Sequence, residues 1–441
     1  MTAGPRDRHS HSHDHEDDRP LPDRLHALAS RRILLGAVLA VAAATLVGLV
    51  VLWPEGSDPV VDGEQFFGER VNATITASVT EDCSFSQTPG QFACDQVDFT
   101  VTSGTPAGET GSLELPLDAG GAKINDGDDV VLFYDADAPS GVQFQFADFQ
   151  RRNPMLVLGL AFVAAVVALG RWRGLLAVVG VVISLVVLIG FVLPALLAGE
   201  PPLAVALTGT SLIALVALYL AHGVSERTTV AVLGTFASLL LTCLLGVVFI
   251  DLTHVTGLTG EEVGFLQAFG GNLDFRGLLL AGLVIGALGV LDDVTVTQVS
   301  AVWELHESDP DRSARSLYRA GLRIGRDHVA STVNTLVLAY AGASLPLLLL
   351  FRTADQRLGD VLTGESIAVE VVRALVGSIG LVASVPITTG LAALVVTRGS
   401  APRAPAPSRG PRPAPAPAPE PSAPSWDDFG PDERDDPRRL P

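Results

Sequence analysis

The feature that most limits this chain is a 21-residue run without a charge, Ile33 to Trp53. An α-helix rises 1.5 Å per residue, so the run is long enough to cross a hydrocarbon core about 30 Å thick. Seven more apolar runs follow, at about 155–170, 174–198, 202–221, 229–250, 277–303, 329–351 and 371–397. Arg, Pro, Gly or acidic residues bound them, as they bound spanning helices. Charged residues make up only 17% of the chain, against roughly a quarter of a soluble domain, so an ordinary soluble enzyme is excluded. A net charge of −19 argues against a nucleic-acid partner, which would want a basic stripe. Three cysteines are too few for a disulfide-built scaffold or a multi-Cys zinc protein.

The first run reads as an uncleaved signal anchor. It is preceded by 32 residues and leaves through Trp53-Pro54-Glu55, not through the small-residue site of a cleaved leader. Eight spans put both termini on one side, and the basic residues test that count. With the termini in the cytoplasm, 21 of the 29 basic residues lie inside and 8 outside, the bias expected of cytoplasmic loops. The second span is the weak point, being short and preceded by Arg151-Arg152 on the unfavoured side.

The expected fold is therefore an α-helical polytopic membrane protein of about eight transmembrane helices, with a small extracytoplasmic β-domain after the first. The parts are a His/Asp-rich tail (1–32), the anchor (33–53), an acidic β-domain (54–150), a seven-helix domain (151–397) and a Pro-rich cytoplasmic tail (398–441), both tails expected disordered. The segment 54–150 holds 18 acids against Arg70 and Lys123. Alternating or β-rich stretches at Val71–Thr80, Val97–Thr102 and Asp128–Tyr134, the last after a turn at Asn125-Asp126-Gly127, predict a small barrel or sandwich. Cys83 and Cys94 are its only cysteines, so a disulfide is expected between them, while Cys243 reads as a small apolar residue inside a span. Its acidic face either gathers cations or is simply a solvated surface. In the N-tail, His9, His11, His13 and His15 alternate, a spacing that can hold Zn, Ni or Cu without selecting among them; the plain alternative is a polar tail. The C-tail offers Trp426 and Phe429 for partner docking, or is passive.

Asp292 and Asp293 are the acids placed deep in a span, where a carboxylate costs several kcal/mol unless paired, hydrated or protonated. Gly282, Gly286, Gly289, Asp293, Thr297, Ser300 and Glu304 fall on one helical face. The glycines predict close approach of another helix and the polar half a wet pocket. Asp292 is turned about 100° from Asp293. On the next span Asp327, Ser331 and Asn334 share a face, and the Asn334 amide could meet Asp293. The last span carries Ser384, Pro386 and Thr388, where proline frees a carbonyl for a cation or simply kinks the helix. Transport or ion-binding candidates are thus Asp292, Asp293, Thr297, Asn334, Ser384 and Thr388, the last three being equally readable as ties between helices. Residues 310–326 predict a separate helix, capped by Asp309 with Pro310 first, with Leu317, Gly321 and Ile324 on one face and five arginines on another; it either lies on an anionic leaflet or is a plain topology-setting loop.

The segments Asp274–Leu278, Gly286–Thr295, Ile324–His328 and Asn334–Pro346 resemble the YibE/F family of bacterial multi-pass membrane proteins, over about 64–397. The resemblance implies a prokaryotic plasma-membrane protein with an extracytoplasmic β-domain before its helices. It brings no settled activity and no cofactor. Expected partners are the lipid bilayer, a cation or small solute as cargo, and a protein bound by the outer domain or tails. Two functions remain: a secondary transporter or permease using the buried carboxylates, and a non-transporting scaffold or envelope-stress component. An enzyme is disfavoured. An aspartyl protease needs two acids facing each other from separate helices, and no P-loop, His-Glu-x-x-His or Gly-x-Ser-x-Gly pattern is present.

Overall fold

A computed structural model describes residues 21–54, 68–84, 92–116, 123–139, 141–259, 263–264, 266–267, 273–353 and 357–398. The histidine tail from His9 to His15, and Trp426 and Phe429 of the Pro-rich tail, lie outside these residues.

Helix α1 (Leu21–Val51) leads to five antiparallel strands, β1 (Glu69–Asp82), β2 (Ala93–Val101), β3 (Thr110–Pro116), β4 (Asp129–Tyr134) and β5 (Phe144–Phe149). Their order is β3-β2-β1-β4-β5. β1 pairs with β4 through its first half and with β2 through its second, and its register with β2 shifts between Ile75 and Ala77. Such a bulge bends a strand, and here the outer strands β3 and β5 come into contact. The result is one curled sheet, a half-barrel, where a two-sheet sandwich was an alternative. Its concave side is filled by Val71, Ala73, Ile75, Val97, Phe99, Val101 and Val130, all buried. Cys83 and Cys94 form the expected disulfide. Strands β3 and β5 escape the sequence reading: β3 is only half-buried and β5 reads Phe-Gln-Phe-Ala-Asp-Phe beside the basic pair Arg151-Arg152.

The remaining elements are α2 (Arg152–Val187), a π-helical turn at Leu188–Val192, α3 (Leu193–Leu197), α4 (Pro202–His222), α5 (Glu226–Leu252), α6 (Phe275–Ser308), α7 (Ala314–Ala343), α8 (Leu345–Thr353), α9 (Leu358–Thr363) and α10 (Glu365–Arg398). Six helical stretches are long and apolar enough to cross a membrane, or seven if α7 and α8, bent by 60° between them, count as one. The length count treats Arg152–Leu197 as one 46-residue stretch. However, Arg171 sits at φ 51, ψ −129 inside it, and a Cβ on Gly174 would strike the Val166 carbonyl. Residues eight apart on a straight helix lie about 12 Å from each other, so the chain doubles back at Arg171. Before that turn Met155, Leu156, Val157, Leu158, Leu160 and Phe162 are all exposed, apolar around the helix as lipid contact requires.

The tightest packing is between α5 and α10. Small residues recur every fourth position on both: Gly234, Ser238, Thr242 and Gly246 on α5, and Gly380, Ser384, Thr388 and Ala392 on α10. The helices run antiparallel with glycine set against threonine. A Cβ on Gly234 would lie 2.5 Å from Thr388 Oγ1, and one on Gly380 would overlap Thr242 Oγ1. Helix α6 closes this core through a 2.6 Å bond between the Thr235 and Thr295 hydroxyls, and the Gln298 amide donates to the Gly321 carbonyl of α7 at 2.7 Å.

Two local expectations are corrected. The helix after α6 begins at Ala314, capped by the Ser313 hydroxyl, which accepts from Ser316 N–H. Asp309 instead ends α6 and accepts from Arg312 Nε at 3.1 Å, so it is not free to cap. This helix runs unbroken into the next apolar segment, so the surface helix and the seventh span are one element. Its packed face is Leu317, Ala320, Gly321 and Gly325, whereas Ile324 is 43% exposed.

Candidate functional site

The adjacent acids of α6 face different surroundings. Asp292 is half-buried, and its Oδ1 is fully enclosed without a hydrogen-bond partner among the described residues. It lies on the wall of a cavity of about 400 Å³ between α2, α4 and α6, lined also by Gly180, Ser184, Leu218, His222 and Gly289. The Ser184 hydroxyl is committed to the Gly180 carbonyl at 2.9 Å, so the carboxyl and His222 are the groups with chemistry to offer here. A second cavity, of about 440 Å³, lies at the end of the bundle where α4 meets α5 and shares Ala221 and His222 with the first.

Asp293 is exposed instead. The face it shares with Gly282 and Gly286 is not tightly packed, contrary to the expectation of close helix approach. A Cβ on Gly282 would meet only Arg373 Nη2 at 3.7 Å, and one on Gly286 only the Tyr340 hydroxyl at 3.6 Å. Long side chains from α10 and α7 reach across the gap and hold the backbones apart. Thr297 returns its hydroxyl to the Asp293 carbonyl at 2.8 Å. Asn334 is exposed, on the same outward face of α7 as Asp327 and Ser331. Among the described residues no hydrogen bond joins it to Asp293. Ser384 and Thr388 sit fully buried in the α5–α10 seam, on a different side of α6 from the Asp292 cavity. Ser384 donates to the Leu381 carbonyl at 2.7 Å, and Thr388 Oγ1 is buried without a partner. The six candidates therefore divide among the cavity (Asp292), an open face (Asp293, Thr297, Asn334) and a packed seam (Ser384, Thr388).

Sequence reading missed His222, which follows a span by hydropathy alone, and the pair Arg373 and Glu370. These two bond at 2.8 Å, only a quarter to a third exposed, several residues inside α10. Their i,i+3 spacing inside an apolar stretch was the available signal. The disulfide sulfurs lie within reach of the Glu114 carboxylate, but sulfurs bonded to each other are not thiolate ligands.

The long apolar helices, the half-barrel after the first and a carboxyl on the wall of a cavity between helices define a multi-helix protein of membrane type. The YibE/F-like protein family matches residues 158–398, more than half of the chain, and the chain belongs to that family. The matched region holds the Asp292 cavity and stops short of the half-barrel. Comparison with curated proteins and with solved structures gives no match.

Proposed function

We propose that the chain is a secondary transporter or permease of a bacterial plasma membrane, moving a cation or small solute with Asp292 as the carboxyl that binds cargo or proton. The observation that carries this is the Asp292 cavity. A carboxyl at membrane depth, with one oxygen enclosed and unpartnered beside open space, is expensive to keep and marks ion or proton pathways.

Packing supports an eight-crossing path with both termini on the cytoplasmic side. The start of α1 and the end of α10 share one cluster through Leu34, Ala392 and Ala393, and the end of α1 packs with Phe191 and Ala195 at the opposite end. Arg173, beside the fold-back, lines a cavity with His222 and Arg227 at the first end. Counting the fold-back as a turn and α7 with α8 as one crossing gives eight.

The second reading, a scaffold whose outer domain binds a partner, is favoured by the half-barrel having its own core and disulfide. Proton and cation flux in proteoliposomes separates the two. On the transporter reading Asp292→Asn abolishes flux at unchanged folded yield, whereas Asp293→Asn retains most of it. Absence of flux in well-folded wild type, or flux untouched by Asp292→Asn, refutes it.

A further inference from the structure

The cavity at the α4–α5 end is chemically unlike its neighbour. Arg173, Arg227 and His222 line it together with the hydroxyls of Ser225 and Ser300 and the ring of Trp172, and no carboxylate is among its lining residues. Both arginines lie close enough to His222 to act on its charge. Arg227 is held in place: its Nε donates to Ser300 Oγ at 3.2 Å, and its Nη1 is 3.8 Å from Glu304 at the rim. Arg173 makes no side-chain hydrogen bond or ion pair among the described residues. A guanidinium presents up to five donors in a planar fork suited to phosphate or carboxylate oxygens. Here one is oriented and one is unspent. The volume, about 440 Å³, is in the range of small-molecule sites. His222 and Ala221 form a shared wall between this space and the cavity of Asp292.

We infer that this vestibule is a binding site for a small phosphate-bearing anion, held by Arg173 and Arg227 against the Trp172 ring. Combined with the transporter reading, on which that part rests, the small solute is an anion, and Asp292 beyond His222 carries the proton that offsets its charge. Binding itself stands apart from transport. The phosphate group could belong to a free solute or to a lipid headgroup, since Trp172 is 71% exposed at a helix end where interfacial aromatic residues collect.

The test uses the full chain with Trp53, Trp303 and Trp426 replaced by Phe, leaving Trp172 as the sole tryptophan reporter, in nanodiscs. Inorganic phosphate is titrated against chloride at constant ionic strength in phosphatidylcholine discs. In parallel, discs with increasing phosphatidylglycerol are compared in buffer free of inorganic phosphate. A saturable Trp172 response to phosphate, weakened roughly 10- to 100-fold by Arg173→Gln and largely restored by Arg173→Lys, supports a free-anion site. A response to phosphatidylglycerol alone with the same dependence on Arg173 supports the same site filled by a headgroup. Arg173 is chosen because it ties no elements together, and gel filtration of each variant excludes misfolding. No response to either probe, or one that Arg173→Gln leaves unchanged, overturns the inference. Asp292→Asn retains phosphate binding. Binding without flux in the wild type leaves the vestibule standing and fells the transporter reading, and flux without binding does the reverse.

Discussion

Gly380→Ala is the most direct test of how the helices are held. The added methyl group would overlap Thr242 Oγ1. Thr242 is fully buried and donates to the Ser238 carbonyl at 2.8 Å, so it cannot rotate away without losing that bond. Overpacking of this kind costs about 1–3 kcal/mol, and a displaced buried hydroxyl adds about 0.5–1.5 kcal/mol. The expected loss is therefore roughly 2–4 kcal/mol. Thr242→Ala alone removes a bond to a carbonyl on its own helix and should cost about 1 kcal/mol. The double variant Thr242→Ala, Gly380→Ala removes the overlapping hydroxyl and leaves the new methyl 3.1 Å from the Cβ of residue 242, a tight contact that a shift of a few tenths of an ångström relieves, so it should recover most of the loss, with a coupling of about 1–3 kcal/mol. Reversible unfolding in mixed micelles, read by tryptophan fluorescence, measures all four corners of the cycle. A Gly380→Ala protein as stable as the wild type, or a double variant no better than Gly380→Ala, refutes the antiparallel glycine-on-threonine register.

Three further outcomes follow. The Cys83–Cys94 bond closes a loop of 11 residues' separation, so Cys83→Ser, Cys94→Ser should lower half-barrel stability by about 2–3 kcal/mol, read as a lower thermal midpoint of the strand signal in the full chain. Arg171 has φ 51, where glycine is favoured, so Arg171→Gly should raise the unfolding free energy by about 1 kcal/mol, checked by the same micelle titration. In the half-barrel the Ser84 hydroxyl and backbone N–H hold Glu114 below its ordinary value of 4.5, as the Thr105 hydroxyl and N–H do for Glu69. A depressed folded value means the folded state binds fewer protons, so this stabilisation is present above about pH 4.5 and is lost as pH falls through the lower folded value. Thermal midpoints from pH 7 to 3 should drop on the acid side, and Glu114→Gln should flatten that slope.

Much of the fold was legible because hydropathy and charge speak directly. A run such as Ile33–Trp53 has few alternatives to crossing a membrane, and oxidised Cys83–Cys94 follows from their being the sole pair in the outer segment. Other elements were hidden for identifiable reasons. The α5–α10 seam is written in Gly, Ser and Thr, which a hydropathy window averages away, although their recurrence at every fourth position was there to be counted. The glycines of α6 gave the opposite error. Spacing shows that a face can admit a neighbour, not that one arrives, and Arg373 and Tyr340 keep theirs at a distance. The start of α7 was misjudged because Asp309 and Ser313 are both good caps, and the choice between them depends on which one α6 already uses.

The two aspartates show how far periodicity alone carries a site. One residue of separation turns a side chain by about 100°, which is enough to predict that Asp292 and Asp293 see different neighbours, but not which neighbours. The glycine stripe placed Asp293 on a face with six other small or polar residues and left Asp292 off it, without ranking the two. Packing separates them. The stripe faces a gap spanned by long side chains, whereas Asp292, alone on its side of the sequence pattern, meets a cavity built by the fold-back at Arg171 and the end of α4. That wall is assembled from residues 177–188 and 213–222, two separate segments well before α6 in the chain, and no local pattern encodes it. The same fold-back brings Arg173 and Arg227 to one cavity, so two guanidiniums and a carboxyl line neighbouring cavities that share His222 as a wall. Opposite charges set in neighbouring cavities suit a solute and a counter-charge better than they suit a passive strut.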